Sequence, residues 1–327
     1  MIDPVRRWRE AGLPDKPDYA GLLTYSGLPY TDDPAELDAV DVAVVGAPMD
    51  DLVSEIGGTR HGPRAIRAAS CPPGPHLEAG VDWSAALRVV DYGDAAVVPA
   101  DPVRSHAAIE AIVTEVAGTR TLPVVLGGDH SITEPEVRAL SRIHGPVGLI
   151  HFDTHTDTGT EVFGVEFSHG TPMYRLVRDG HVPGARYVQI GLRGYWPGEA
   201  EFAWQRDHGI TSFFMHDVRE LGIRLVVEQA MTAVGAGPVF LSVDVDVLDP
   251  AFAPGTGTPE PGGMTSADLL WAVRTVASSV DLVGLDVVEV APTAIGSADI
   301  TALVAERVVR EALTGLAVRR LREDAIS

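Results

Sequence analysis

Seven short apolar runs alternate with amphipathic stretches from about residue 41 onwards. The runs are continuously apolar, as in LPVVLGG (122–128) and VFLSVDVDV (239–247), and this is typical of strands that are buried on both faces. The remaining runs cover residues 41–48, 87–93, 145–153, 185–191 and 281–290. Because strands that alternate with helices build parallel sheets covered on both sides, the sequence predicts an α/β fold.

The amphipathic stretches predict helices over residues 63–70, 106–118, 133–145, 171–180, 224–237, 266–279 and 300–321. The last of them has apolar residues three and four apart and basic residues at its end. Residues 1–38 are rich in Pro, Tyr, Gly and Asp, which predicts an irregular N-terminal arm. Residues 39–327 contain no linker, repeat or low-complexity segment, so they predict a single domain.

The charge balance excludes some partners. The chain has 25 Lys and Arg against 46 Asp and Glu, and its net charge of -21 repels nucleic acid and anionic membrane surfaces. Cys71 is the only cysteine, which favours a reducing compartment. No apolar run suggests a signal peptide or a membrane span, so we expect a cytoplasmic protein.

Polar side chains follow the predicted strand 145–153, in the segment HFDTHTDT. Alternate residues of a strand share a face, so Asp153, His155 and Asp157 converge beyond the strand end. Functional residues of open parallel sheets gather outside the carboxyl ends of the strands. Other polar clusters are therefore expected at equivalent strand ends.

Two further strand ends carry such clusters. LPVVLGGDHS (122–131) carries His130 just after its apolar run, and VFLSVDVDVLDP (239–250) carries two aspartates two positions apart. Each cluster alone is typical of a turn, but the three together supply four carboxylates and two imidazoles. Four packed carboxylates repel one another unless cations neutralise them. The sequence thus predicts a centre for two divalent metal ions, with the ligands His130, Asp153, His155, Asp157, Asp244 and Asp246.

The ligand set of oxygen and nitrogen atoms without sulfur favours Mn²⁺, with Fe²⁺, Co²⁺, Ni²⁺ and Zn²⁺ as alternatives. Two such ions lower the pKa of a bound water, which makes hydrolysis the natural reaction. No organic cofactor is needed for it.

Three motifs resemble those of the ureohydrolases, the arginase and agmatinase family. They are GGDHS (127–131), HFDTHTD (151–157) and SVDVDVLDPAFAPGTGTPEPGG (242–263). The resemblance extends from about residue 41 to the C-terminal helix. It implies a three-layer α/β/α sandwich around a mainly parallel sheet of about eight strands, two Mn²⁺ ions per subunit, and a homo-oligomer, either a trimer or a hexamer.

The same resemblance implies a role for each ligand. One Mn²⁺ is held by His130, Asp153, Asp157 and Asp244. The other is held by His155 and Asp246 together with Asp153 and Asp244, so that two aspartates bridge the ions. His151 has the same parity as Asp153, but the family pattern does not use it, and we expect it to support the ligands from behind.

Two more roles follow from the resemblance. Glu289, in GLDVVEVAP, matches the carboxylate that pairs with the substrate guanidinium, whose planar donors suit a bidentate acceptor. His169, in SHGTP, matches a histidine that shuttles protons to the leaving amine. The residues alone also fit a buried Glu satisfied by backbone amides and a His at a helix start. The implied reaction releases urea and an amine from a guanidino compound.

The substrate is expected to differ from that of the arginases. The segment GTGTPEPGG (255–263) resembles agmatinases and guanidinobutyrases, whereas arginases usually have Ala in place of Gly255. The loop 158–170 also lacks the Asn that arginases use to bind the α-amino acid end. We therefore expect agmatine as substrate, with 4-guanidinobutyrate or another guanidino acid as the alternative, and Thr258 as a substrate contact.

Three groups near the mouth are candidates for binding the far end of the substrate. Glu161 and Glu166 either attract the ammonium group of agmatine or face solvent. Arg193 suits a substrate carboxylate if it points inward. Tyr195 and Trp196 suggest an aromatic wall or lid.

Other classes of protein fit the sequence less well. Deacetylases of a related fold use one zinc ion, which the six-ligand set disfavours. Metal-dependent phosphoesterases also place Asp and His at strand ends, but the motif GDxxGNH is absent and the net charge of -21 disfavours phosphates. A metal-free regulatory relative would have lost at least one ligand, and all six are present.

Overall fold

The sheet has eight strands, all parallel, in a computed structural model that describes residues 1–12, 20–292 and 299–325. The strands are β1 (Val42–Ala47), β2 (Val89–Asp94), β3 (Leu122–Gly127), β4 (Gly148–Phe152), β5 (Tyr187–Leu192), β6 (Thr211–Phe214), β7 (Pro238–Asp244) and β8 (Asp281–Val288). Their order across the sheet is β2-β1-β3-β8-β7-β4-β5-β6. The α/β prediction is confirmed.

Helices cover both faces of the sheet. They are α1 (Arg6–Glu10), α2 (Gly62–Ala69), α3 (Trp83–Ala86), α4 (Pro102–Gly118), α5 (Thr133–His144), α6 (Pro172–Arg178), α7 (Glu199–Asp207), α8 (Met215–Leu221), α9 (Ile223–Val234), α10 (Ser266–Ala277) and α11 (Ile300–Asp324). One face packs against α2, α3 and α8 to α11, and the other against α4, α5 and α6. These are the three layers expected of an α/β/α sandwich.

Strand β3 shows why apolar runs form this sheet. Val124 and Leu126 contribute to the core on one face, while Val125 contributes to the core on the other. All three are buried, and each such side chain stabilises the fold by about 1.5–3 kcal/mol. A strand that is covered on both faces therefore has no polar side to display.

The predicted strands and helices agree with the structure to within a few residues, except for elements that the sequence did not reveal. Strand β6 is four residues long, forms the edge of the sheet, and is only partly buried. Helices α7 and α8 were also missed, because each is short and buries few of its residues. Edge elements carry weak apolar patterns since one side remains in solvent.

The N-terminal segment contains more structure than the irregular arm that was predicted, including α1. Tyr25 is buried, its main-chain N–H donates to Oδ2 of Asp91 (2.7 Å), and its hydroxyl donates to the carbonyl of Glu306 (3.1 Å). These contacts join the segment to β2 and α11. The boundary at residue 38 stays a prediction. No helix within the described residues has the length and apolarity that a membrane crossing requires.

The sheet order determines where a site can form. Strands β3, β8, β7 and β4 are consecutive neighbours, although they come from distant parts of the sequence. Because the strands are parallel, their carboxyl ends meet at one edge. Except for Arg193 and Trp196, which follow β5, the predicted site residues lie at the ends of these four strands or in the segments that follow them.

Candidate active site

The six predicted ligands lie together at or just beyond the carboxyl ends of β3, β4 and β7. His130 begins a short 3-10 turn after β3, and Asp246 lies in a similar turn after β7. All are buried except His155, whose side chain is 30% exposed. The structure thus brings together His130, Asp153, His155, Asp157, Asp244 and Asp246.

Three carboxylates converge on one nitrogen of His130. Its Nδ1 lies 3.0 Å from Oδ2 of Asp153, 3.0 Å from Oδ2 of Asp157 and 3.1 Å from Oδ2 of Asp244. An imidazole nitrogen carries at most one proton, which cannot satisfy three anionic acceptors. The convergence of three oxygens and one nitrogen fits a divalent cation.

A second group of donors forms around His155. Its Nδ1 lies 3.1 Å from Oδ2 of Asp246 and 3.5 Å from Oδ1 of Asp153. Asp153 therefore presents one oxygen towards His130 and the other towards His155. This is the arrangement that a carboxylate bridging two ions requires.

The charges of the buried carboxylates also favour the binding of cations. Burial, reinforced by the charges of Asp246 and Asp153, raises the pKa of Asp244 well above its usual range. Burial and the charge of Asp153 raise the pKa of Asp246 to about 6. Divalent cations among these oxygens would offset the desolvation and repulsion that favour the protonated carboxyls.

Two site residues have unusual backbone conformations. Asp157 has φ +50° and Glu289 has φ +64°, a region that residues other than glycine rarely adopt. The carbonyl of Asp157 accepts a hydrogen bond from the N–H of Met173 (3.1 Å) in the first turn of α6, and the N–H of Glu289 donates to the carbonyl of Gly128 (2.9 Å). Such strain is maintained where the surrounding structure fixes a functional side chain.

A second layer of polar residues orients the ligands. Nε2 of His130 lies 2.9 Å from the hydroxyl of Ser242, and Nε2 of His151 lies 2.8 Å from Oδ2 of Asp153. The hydroxyl of Tyr187 lies 2.9 Å from Nδ1 of His151. The sequence did not indicate Ser242 or Tyr187. Ser242 has a usable signal, because it lies two residues before Asp244 in the same strand and so has the same parity.

Glu289 follows β8 and reaches the site from between the metal-binding segments. It is 1% exposed, and its Oε1 accepts a hydrogen bond from the N–H of His130 (2.9 Å) and lies 2.9 Å from Nδ1 of His169. Its Oε2 is buried and has no hydrogen-bond partner among the described residues. A buried carboxylate oxygen without a partner is costly, and a cationic donor would satisfy it.

His169 carries a positive charge more readily than an ordinary histidine. Burial opposes its charged form, but the hydrogen bond with Glu289 and the charges of Glu289, Asp157 and Asp129 prevail and raise its pKa to about 9. The side chain of His169 is 13% exposed. His169 can therefore hold a proton close to Glu289 at neutral pH.

The predicted substrate contacts lie at different depths. The hydroxyl of Thr258 is 3.4 Å from Oδ2 of Asp246, so Thr258 borders the cluster. Glu161 and Glu166 are exposed on the loop after β4. Trp196 is 79% exposed, and its neighbour Tyr195 is 93% exposed. These exposed side chains lie outside the buried cluster.

Arg193 requires a correction. Its guanidinium donates to main-chain carbonyls of the segments around it, namely those of Gly191, Asp246, Val247, Leu248, Glu260 and Pro261. These contacts occupy its N–H donors, so the guanidinium is not free to bind a substrate carboxylate. Arg193 instead fixes the turn that carries Asp246. Sequence alone gives the charge of an arginine but not its orientation.

A family model described as the arginase family matches residues 40–315. The chain belongs to the arginase family. It is accordingly a hydrolase that acts on the C–N bonds of guanidino compounds and other linear amidines. The family has a binuclear metal site, and the cluster around His130 and His155 supplies suitable donors for one.

Named relatives cover most of the chain. A guanidinopropionase of Pseudomonas aeruginosa is 44% identical over 92% of this chain and 93% of its own length. A guanidinobutyrase of the same organism is 39% identical, covering 85% of this chain and 87% of its own. A mitochondrial agmatinase of Gallus gallus is 36% identical, covering 88% and 85%.

Solved structures share the fold. The proclavaminate amidino hydrolase of Streptomyces clavuligerus superposes with a TM-score of 0.86 at 34% identity, covering 93% of this chain and 100% of its own. A formiminoglutamase variant of Trypanosoma cruzi, solved with Mn²⁺, superposes with a TM-score of 0.78 at 25% identity, covering 88% and 100%. The predicted family and fold are confirmed.

Proposed function

We propose that this arginase-family protein is a manganese hydrolase that converts a guanidino compound into urea and an amine. The observation that carries the proposal is the unpartnered Oε2 of Glu289, buried close to the metal-ligand cluster. A guanidinium is planar and cationic, and it can donate to this oxygen with the geometry that charged pairs prefer. A neutral amide or ester would bring no positive charge to this oxygen.

Each side chain has a role in this reaction. His130, Asp157 and the shared residues Asp153 and Asp244 would hold one ion, and His155 and Asp246 would complete the other. Bound divalent ions supply activation of water and stabilisation of negative charge. Glu289 orients the guanidinium so that its carbon faces the attacking water. When the C–N bond to the amine breaks, His169 provides the proton that the amine needs.

The substrate that we favour is a guanidino acid, with 3-guanidinopropionate first and 4-guanidinobutyrate second. Its support is the 44% and 39% identity with relatives named for these substrate types, against 36% for the agmatinase. Agmatine, which is not a guanidino acid, is the alternative substrate. The exposed Glu161 and Glu166 and the occupied guanidinium of Arg193 favour its terminal ammonium over a carboxylate.

Three further expectations complete the proposal. Manganese is supported by the donor set and by the Mn²⁺ with which the Trypanosoma cruzi formiminoglutamase variant was solved. We propose a homo-oligomer, a trimer or hexamer, in the cytoplasm. The net charge of -21 supports a small-molecule substrate rather than nucleic acid.

The test is release of urea by the purified protein with Mn²⁺ from 3-guanidinopropionate, 4-guanidinobutyrate, agmatine and arginine. We expect the highest kcat/KM for 3-guanidinopropionate. Treatment with a chelator should abolish the activity, and addition of Mn²⁺ should restore it. A higher kcat/KM for agmatine than for either guanidino acid would make agmatine the favoured substrate. Absence of urea from all four compounds in metal-loaded protein would overturn the proposed substrate class.

A further inference from the structure

The loop that follows β1 reaches His169 and places the hydroxyl and the main-chain N–H of Ser54 against its ring. The hydroxyl of Ser54 lies 2.7 Å from Nε2 of His169, and the main-chain N–H of Ser54 donates to the same nitrogen at 3.1 Å. Ser54 itself is exposed. The other ring nitrogen, Nδ1, faces Glu289 at 2.9 Å. The three side chains therefore form a line from the buried carboxylate to solvent.

The two ends of this line have different chemistry. The carboxylate of Glu289 only accepts, so it keeps a proton on Nδ1 of His169. Any proton that His169 gains from solvent or returns to it is therefore exchanged at Nε2. The main-chain N–H of Ser54 only donates, and it favours the neutral ring. A hydroxyl can donate to a neutral Nε2 or accept from a protonated one, so only the hydroxyl suits both states.

Hydrogen bonds of Leu52 hold the loop that carries Ser54 without help from the Ser54 hydroxyl. The carbonyl of Leu52 accepts from the N–H of His169 (3.1 Å), and the N–H of Leu52 donates to Oδ2 of Asp129 (3.2 Å). The loop after β1 is thus joined to the segment after β3 and to the segment that carries His169. Removal of the Ser54 hydroxyl leaves these bonds in place.

We propose that Ser54 is a positioning residue of the reaction, and that its hydroxyl holds Nε2 of His169 in both protonation states while the ring exchanges protons with solvent. The proposal rests on the role of His169 in the proposed function. When Nε2 is protonated, it donates to the Ser54 oxygen. When Nε2 loses the proton to water, the hydroxyl turns and donates to it, and Ser54 is chemically unchanged.

The charged groups that act on His169 set the direction of the expected change. They are the carboxyl groups of Glu289, Asp157 and Asp129, all of which favour the charged ring. The variant Ser54→Ala keeps these groups and the main-chain N–H but removes the acceptor for a protonated Nε2. The charged form of His169 should therefore lose stability, and its pKa should fall by about one unit.

The kinetic experiment compares Ser54→Ala, Ser54→Thr and the control Ser168→Ala with the unchanged enzyme. The hydroxyl of Ser168 contacts the carbonyl of Leu52 (3.4 Å) rather than the ring of His169. We expect the limb on which kcat falls with rising pH to move down by about one unit in Ser54→Ala, with KM within about twofold. Ser54→Thr should restore the profile, and Ser168→Ala should leave it unmoved.

A second measurement needs no substrate. The histidine ring resonances are followed by NMR as a function of pH in the full-length protein loaded with Zn²⁺, because this ion is diamagnetic. The signal of His169 is the one that is lost in His169→Asn. Identical His169 titrations in Ser54→Ala and the unchanged protein would overturn the proposal. If no compound yields urea, the proposed function fails, while this titration still decides whether Ser54 controls His169.

Discussion

The metal-binding floor of the site and the rim around it are built in different ways. The floor consists of the six ligands and Glu289, and the side chains of all but His155 are at least nine-tenths buried. The rim consists of residues 160–167 and 194–198, most of which are exposed. There Phe163 is 89% exposed, Tyr195 is 93% exposed and Trp196 is 79% exposed.

We expect this difference to separate the chemistry from the choice of substrate. Each floor residue is held by neighbours from another strand or turn, so a change in one disturbs several contacts. Exposed rim side chains have few such neighbours, and a substitution there leaves the floor in place. The relatives are named for different guanidino compounds. Such variety fits this division, because the same catalytic residues can act on different substrates when the surrounding loops differ.

The strongest test of the floor is Asp244→Asn. The change removes a charged donor from the group around Nδ1 of His130, so we expect loss of bound metal and a fall in urea release of at least about a thousandfold. Metal content by atomic emission and urea formation measure it. The control is Asp281→Asn, at the exposed start of β8. Full metal content in Asp244→Asn would contradict the ligand assignment.

Glu289→Gln tests the part of the floor that we propose binds substrate rather than metal. The amide still accepts the N–H of His130 but loses the charge that pairs with a guanidinium, so kcat/KM should fall about 100-fold, or about 2.7 kcal/mol. Metal content should stay the same. Steady-state kinetics with metal analysis measure both. An unchanged kcat/KM would remove Glu289 from the proposed mechanism.

His106 lies where floor and rim meet, because Nε2 is 3.0 Å from the hydroxyl of Ser131 and its ring contacts that of Phe167. Burial lowers the pKa of His106 to about 4. The charge of Glu134 opposes this shift, whereas the charges of Arg138 and Arg175 add to it. The unfolded chain, with a pKa near 6.5, binds the proton more readily, so stability should be lost as pH falls from about 6.5 to about 4.

The expected loss from His106 is about 2 kcal/mol between pH 6.5 and pH 4.5. It is measured as the difference in pH dependence between the unchanged protein and His106→Gln in urea denaturation. The exposed His144 supplies the control His144→Gln, which should retain the full acid sensitivity. Parallel curves for the unchanged protein and His106→Gln would show that His106 does not contribute.

Ser242→Ala tests the layer beneath the floor. Without its hydroxyl, Nε2 of His130 has no fixed partner, and the ring should orient less firmly towards the metal. We expect about tenfold weaker metal affinity, measured by competition with a chelator. Ser212→Ala, in edge strand β6, is the matched control. Equal affinities in the two variants would assign Ser242 to packing alone.

Trp196→Ala should have the smallest effect, and it tests the independence of the rim. Since the side chain is 79% exposed, we expect KM to change no more than about threefold, with kcat and metal content unaltered. Tyr195→Ala, at the adjacent exposed position, is the comparison. A tenfold fall in kcat for either variant would show that the rim and the floor are coupled.

Much of this division is predictable from the sequence. The parity of Asp153, His155 and Asp157 follows from the strand that precedes them, and the apolar run before His130 places it at a strand end. The clusters come close together because the carboxyl ends of parallel strands meet at one edge of the sheet. Buried strands with strong patterns were therefore easy to predict.

Contacts between separate loops were not predictable. Ser54 meets His169 because the loop after β1 and the loop after β4 meet at the same edge of the sheet, and the sequence contains no period that relates residues 54 and 169. Arg193 was misjudged for the same reason, since the carbonyls that occupy it belong to turns after β7. Strand β6 was missed because an edge strand of four residues has little apolar pattern.

The central position of β8 has a consequence for folding. This strand is the last one along the described part of the chain, yet it pairs with both β3 and β7. Until β8 is in place, strands β1 to β3 and strands β4 to β7 form two groups whose inner edges are unpaired, and such edges are open to aggregation. The ligands that follow β3 and those at the end of β7 then lie in separate groups, so the metal-ligand cluster is complete only after β8 has joined the two groups.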